Sequence, residues 1–152
     1  QFEHRDLHIC NILVKRTQKT EMIYGINGKI YSVATGGFKA TIIDYTFSRI
    51  QVKNNVYHRD LTNVVKGLEK LEIKNKQSLQ NKAYLSMAHL VKNEWDKWEP
   101  KTNLYWMIYL CQTIINHKLF KDLGDKRIRQ EFEKIIKASR LHQRVIELID
   151  KI

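Results

Sequence analysis

The spacing of apolar positions changes partway along the chain. In the first third, apolar residues fall in short runs separated by turn residues: Ile12-Leu13-Val14, Met22-Ile23-Tyr24, Ile30-Tyr31 and Phe38-Lys39-Ala40-Thr41-Ile42-Ile43. Asn27-Gly28 lies between the second and third runs. That pair tolerates positive φ at both central positions of a type I′ turn, so a two-residue hairpin is predicted there. The fourth run is rich in β-branched residues and stops abruptly at Asp44, which predicts a strand that delivers an acid at its end.

Beyond residue 60 the repeat becomes helical. Leu61, Val64, Val65, Leu68 and Leu71 recur at intervals of three and four, and Leu79, Ala83, Met87, Leu90 and Val91 follow after a polar break. Pro100 and Asn103 punctuate before Leu104 to Leu119, a segment apolar on most sides and therefore expected to be the central buried helix. Asp125 reads as an N-cap for a helix carrying Ile128, Phe132, Ile135 and Ile136, and Leu141, Val145, Ile146, Leu148 and Ile149 close the chain. The predicted fold is α+β and predominantly helical, a small β portion followed by a helical bundle.

Composition adjusts this picture little. A chain of 152 residues with 43% hydrophobic content and a single proline has the makings of one packed domain. No apolar run approaches the roughly 20 residues that cross a bilayer, and the start carries no signal pattern, so a soluble, intracellular protein with no membrane partner is expected. Cys10 and Cys111 have neither disulfide-like nor zinc-like spacing and read as reduced, buried thiols. The 27 Lys and Arg against 16 Asp and Glu raise the possibility of nucleic-acid binding. The excess is spread along the chain, whereas a strand-tracking groove concentrates its cations, so a solvated basic surface is expected rather than a direct nucleic-acid site. A remoter reading is a basic chromatin-binding helical domain in which Lys126, Arg127, Arg129, Lys134, Lys137 and Arg140, along one or two helices, touch phosphate.

The candidate chemistry sits at the start. His4-Arg5-Asp6-Leu7-His8-Ile9-Cys10-Asn11 matches the kinase catalytic-loop pattern H-R-D-L-x-x-x-N at every fixed position. Phosphoryl transfer from ATP needs a carboxylate that orients the substrate hydroxyl and accepts its proton, and an amide oxygen nearby for Mg²⁺. Asp6 and Asn11 supply those groups, and Asp44 supplies the second metal-binding carboxylate that phosphate charge demands. The chain contains a decoy, His58-Arg59-Asp60-Leu61, but Val65 stands where Asn11 stands in the first copy and a helix follows, so Asp60 reads as an N-cap.

From His4 through Arg49 the sequence resembles the haspin family of serine/threonine kinases. The resemblance rests on His4-Arg5-Asp6-Leu7-His8, on Ile42-Ile43-Asp44-Tyr45-Thr46 followed by Phe47-Ser48-Arg49, and on the elongated hairpin around Tyr24 to Lys29, and it continues more weakly through Trp95, Pro100 and Asn103 to Leu110. Ordinary kinases place Phe-Gly after the metal-binding acid and Lys where His8 stands.

The resemblance implies that residues 1–152 form the C-terminal lobe of a kinase domain whose N-terminal lobe lies outside the chain, so that the isolated chain is inactive. It implies Asp6 as catalytic base, Asn11 and Asp44 as Mg²⁺ ligands, and Leu13 with Ile43 as lining of the nucleotide pocket. His4 and Arg5 would fix the loop, and His8 would take the place of a phosphate-contacting Lys. The implied cofactors are ATP and Mg²⁺, and the implied substrate is a threonine of a histone tail on mitotic chromosomes, which carries with it chromatin association and a nuclear location. In the region where the family uses acids to receive that basic tail, this chain has Lys66, Lys70, Lys74, Lys76 and Lys82 against Glu69 and Glu72, and like charges oppose binding. A second reading is therefore a kinase-like interaction module without catalysis.

Overall fold

The computed structural model describes residues 1–72 and 78–149. Lys74 and Lys76 lie outside the described residues. The chain divides into two units, one formed by Gln1–His8 with the residues from Tyr45 onward and the other by Ile9–Asp44.

The second unit is the β portion that the apolar runs predict. After a single 3-10 turn at Ile9–Asn11 come strands β2 (Ile12–Arg16), β3 (Glu21–Ile26), β4 (Lys29–Ala34) and β5 (Phe38–Ile42). β3 and β4 pair antiparallel and are joined by Asn27-Gly28, with φ of 51° and 77°, the turn that the sequence calls for. β2 pairs antiparallel with β5 from Ile12↔Ile42 to Arg16↔Phe38. Each ladder runs one pair further, Thr17 N–H donating to Gly37 O at 2.9 Å beyond Arg16↔Phe38 and Thr35 N–H to Thr20 O at 2.9 Å beyond Glu21↔Ala34.

The first unit holds a sheet that periodicity does not reveal. β1 (Phe2–Glu3) pairs with β6 (Arg49–Val52), which pairs with β7 (Asn55–Tyr57). A two-residue strand leaves no alternation to read, and its partner lies far along the chain; only tertiary pairing defines it.

The helices follow the predicted spacing. α1 (Thr62–Glu72), α2 (Leu79–Val91), α3 (Lys101–Asn116), α4 (Lys118–Leu123), α5 (Lys126–Leu141) and α6 (Ile146–Ile149) complete the chain. Leu61, Val65, Met87, Val91, Trp95 and Trp106 bury together as one core, with Leu7 and Phe47 packed against it. Leu61 and Met87 are fully buried, and each such side chain contributes about 1.5–3 kcal/mol of transfer free energy. A smaller cluster joins α3 to α5 through Cys111, Ile115 and Ile136.

Three boundaries differ from the sequence reading. Asn103 does not punctuate: α3 begins at Lys101, behind Pro100 at the N-cap, and Asn103 sits in its first turn. α3 also ends at Asn116 rather than continuing to Leu119, which is 68% exposed on α4. Asp60 lies one residue before the true cap position, yet its Oδ1 accepts from Thr62 N at 2.8 Å and so satisfies one of the helix's unpaired amides. Asp125 caps α5 as predicted, accepting from Arg127 N and Ile128 N at 2.9 and 3.1 Å. Cys111 is buried as predicted, but Cys10 is exposed because it lies in the surface 3-10 turn.

Candidate functional site

The loop from His4 to His8 belongs to the first unit and is held by buried polar contacts. Arg5 is fully buried and adopts φ of 63°, a left-handed conformation that costs a non-glycine residue on the order of 1 kcal/mol. Its surroundings over-determine that conformation. Arg5 Nε pairs with Glu3 Oε2 at 2.9 Å, Nη1 donates to Trp95 O at 2.5 Å and Nη2 to Lys97 O at 3.0 Å, with the guanidinium 5.6 Å from the Trp95 ring centroid. Glu3, also fully buried, accepts from Thr102 Oγ1 at 2.8 Å and from Glu99 N at 3.1 Å. Arg49 approaches Glu3 at 3.9 Å. Burying these charges is tolerable because each is paired and hydrogen-bonded.

Asn103 adds a second clamp. Its Oδ1 accepts from His4 N–H at 3.0 Å and its Nδ2 donates to Phe2 O at 3.0 Å. On the other side Ser48 Oγ donates to His4 O at 3.0 Å, and the His4 ring stacks at 5.3 Å from Tyr45. The loop backbone is thereby fixed from α3 and from the segment before β6.

Asp6 follows the strained Arg5, and its side chain is 14% exposed. Its Oδ1 accepts from Tyr84 Oη on α2 at 2.5 Å, and His8 Nε2 lies 3.7 Å from the same oxygen, an ion pair when the imidazole is protonated. His8 N–H donates to Asp6 O at 2.9 Å, which tightens the turn.

In the second unit, Asn11 and Asp44 come to the same end of one ladder. The backbone amide of Ile43 donates to Asn11 O at 3.0 Å, continuing the β2–β5 register by one pair. Directly opposed residues share a face, and faces alternate along a strand. Asn11, Leu13 and Ile43 therefore line one face, with Asn11 buried, Ile43 half-buried and Leu13 exposed. Asp44 then turns the chain with φ of 58°, left-handed backbone that Asp accepts more readily than most residues. Asn11 brings an amide oxygen and Asp44 a carboxylate to that end of the ladder, the hard oxygen donors that would hold Mg²⁺. The residues present fit that ion.

The structure thus gathers Asp6 with His8, and Asn11 with Leu13, Ile43 and Asp44. Sequence reasoning missed Glu3, Trp95, Thr102, Asn103 and Tyr84 as supports of the loop. Glu3 ends the two-residue strand β1 and Arg5 follows at a bend, so no repeat marks the pair, and the partners lie on α2, α3 and the turn before α3. The decoy Asp60 acts in helix capping. Along α5, Lys134 pairs with Glu131 at 2.7 Å and Arg129 lies 3.9 Å from Glu133 and over Phe120, so part of that basic helix is locally compensated. No helix of the described residues is long and apolar enough to cross a membrane.

Comparison with known proteins adds a family. Residues 1–150 match the model described as "Haspin like kinase domain". The chain is 36% identical to "Serine/threonine-protein kinase haspin" of Mus musculus over 120 residues, 79% of this chain and 15% of the relative. It is 35% identical to the protein of the same name from Bos taurus, over 87% of this chain and 17% of the relative. With "Serine/threonine-protein kinase haspin homolog" of Drosophila melanogaster the identity is 31%, over 89% and 23% respectively. The chain spans less than a quarter of the length of these relatives.

Proposed function

The chain belongs to the haspin-like kinase domain family, and from that membership we propose that it acts as the C-terminal lobe of a serine/threonine protein kinase, transferring the terminal phosphoryl group of ATP to a protein hydroxyl. The observation that carries the reading is the motif residue Asp6 on a loop held at His4 and Arg5, with Asn11 and Asp44 delivered together at one end of the β2–β5 ladder. Positioning and electrostatics supply most of the catalysis in phosphoryl transfer, and rigid placement is what such residues need.

In this reading Asp6 orients the acceptor hydroxyl and takes its proton. Asn11 and Asp44 hold the metal through their oxygens, and Leu13 and Ile43 offer the adenine an apolar face. His8, beside Asp6, stands where a phosphate contact would be made and donates a hydrogen bond there. Bound Mg²⁺ supplies charge neutralisation at the phosphates. Arg5 and His4 fix the loop and touch no reactant.

For the acceptor we propose a Ser or Thr in a protein, with a basic histone tail on chromosomes as the specific candidate and a nuclear location to match. Exposed Lys66 and Lys70 on α1 and Lys82 on α2 bear on that choice. The test uses the full-length kinase with labelled ATP, Mg²⁺, and paired peptides that share one acceptor threonine in basic and in acidic contexts. Transfer that is abolished by Asp6→Asn supports the kinase reading, and unchanged transfer by Asp6→Asn ends it. Preference for the acidic context would exclude the histone tail and keep the kinase.

A further inference from the structure

Tyr84 stands apart from the loop in sequence and has no part in the reading above. It lies on α2, is 5% exposed, and packs edge-on at 5.3 Å and 88° against Trp106 and at 6.5 Å and 70° against Phe47. These contacts leave its ring one place to be. Its hydroxyl donates to Asp6 Oδ1 at 2.5 Å, within the short range of O–H···O⁻ bonds. A core residue that needed only bulk would be Phe at this position, since burying a phenol hydroxyl without a partner is unfavourable. The hydroxyl has its partner, and that partner is the carboxylate to which the reading assigns proton acceptance.

We infer that Tyr84 is a positioning residue for Asp6. An aspartate side chain turns about two torsions, and a loop backbone, however well anchored at Arg5, fixes neither. A donor held by the core from outside the loop fixes the carboxylate plane and directs which oxygen meets the acceptor hydroxyl. His8 approaches the same Oδ1 at 3.7 Å, so Tyr84 and His8 act on one oxygen of the pair. A phenol suits the task because its O–H donates without the full positive charge of a Lys or Arg, so it orients the carboxylate without an ion pair beside it. The bond also joins the stability of the loop to that of the core, through α2.

This inference rests on Asp6 being the proton acceptor, and its test is arranged to separate the two. The full-length kinase is assayed with labelled ATP, Mg²⁺ and a degenerate Ser/Thr peptide library, comparing wild type, Asp6→Asn and Tyr84→Phe. Tyr84→Phe keeps the ring and removes the hydroxyl. We expect kcat to fall about tenfold to a hundredfold, the scale of a misplaced reacting group, with KM for ATP within about twofold of wild type. Loss of activity in Asp6→Asn together with wild-type kcat in Tyr84→Phe would overturn the inference and leave the kinase reading standing. Full activity in Asp6→Asn would overturn the kinase reading itself. A lowered kcat in Tyr84→Phe matched by an equal rise in KM for ATP would assign Tyr84 a structural role only and also overturn the inference. Incorporation of 4-aminophenylalanine at position 84 keeps the packing and leaves a weaker donor, and so covers the case in which Tyr84→Phe does not fold: kcat should fall with KM for ATP held, and wild-type kcat counts against the proposal.

Discussion

Arg5 Nη1 donates to the main-chain carbonyl of Trp95, ninety residues downstream, at 2.5 Å, while its guanidinium lies over the Trp95 ring. One side chain thus joins the loop before Asp6 to the segment leading into α3. The fully buried Glu3 completes the connection by pairing with Arg5 at 2.9 Å and accepting from Thr102 and Glu99. Two buried charges are an expensive way to gain stability, and here they secure the left-handed turn at Arg5 on which the direction of Asp6 depends.

Replacing Arg5 with Met should be costly, because it leaves the Glu3 carboxylate buried without its counter-ion. About 3–5 kcal/mol of folding stability should be lost, read as a drop in the urea midpoint. The double change Glu3→Gln with Arg5→Met should recover much of that loss. A double variant no better than the single one would show that the pair's charge coupling is unimportant.

Asn103→Leu is close in size but removes the donor to Phe2 O and the acceptor for His4 N–H. Stability should fall by about 1 kcal/mol, the net worth of an ordinary hydrogen bond, since His4 N–H is part-buried and Phe2 O can turn to water. Amide hydrogen exchange at His4 should speed up while α5 is unaffected.

Asp60 has its pKa held below the usual 3.8, chiefly by its side-chain hydrogen bond with Thr62 and next by the Thr62 backbone amide. Because the folded value is depressed, the stabilisation is present above the unfolded pKa and disappears as the pH falls through the folded one. Asp60→Asn should therefore shorten α1 near neutral pH, and the difference from wild type should vanish in strong acid. Circular dichroism of both proteins across that range is the measurement.

The two thiols should react differently. Burial raises the pKa of Cys111 above its ordinary 9.0, while Cys10 lies exposed in the turn before Asn11. Iodoacetamide at pH 8 should label Cys10 first, and peptide mapping by mass spectrometry decides it. Equal labelling would contradict the burial of Cys111.

Gly28 at φ of 77° and Asn27 at 51° close the β3–β4 hairpin. No heavy atom lies within 4 Å of a Cβ placed at Gly28, so Gly28→Ala tests backbone conformation alone. The cost should be about 1 kcal/mol. A neutral Gly28→Ala would mean that the turn relaxes to another type.

The sequence alone determined the features that depend on neighbours along the chain. These are the I′ hairpin at Asn27-Gly28, the strand ending before Asp44, the helices α1, α2, α3 and α5, the Asp125 cap, and the catalytic-loop spacing of Asp6 and Asn11. Each follows from steric preference or side-chain period over a few residues. Tertiary structure alone decided the β1–β6–β7 sheet, the start of α3 upstream of Asn103, the buried Glu3–Arg5 pair, and the reach of Tyr84 to Asp6. The β1–β6 pairing, the Tyr84–Asp6 bond and the partners that bury Glu3 and Arg5 join residues forty to a hundred positions apart. Their energy comes from excluding water around polar groups that meet only after the chain has folded, and no local pattern encodes that meeting.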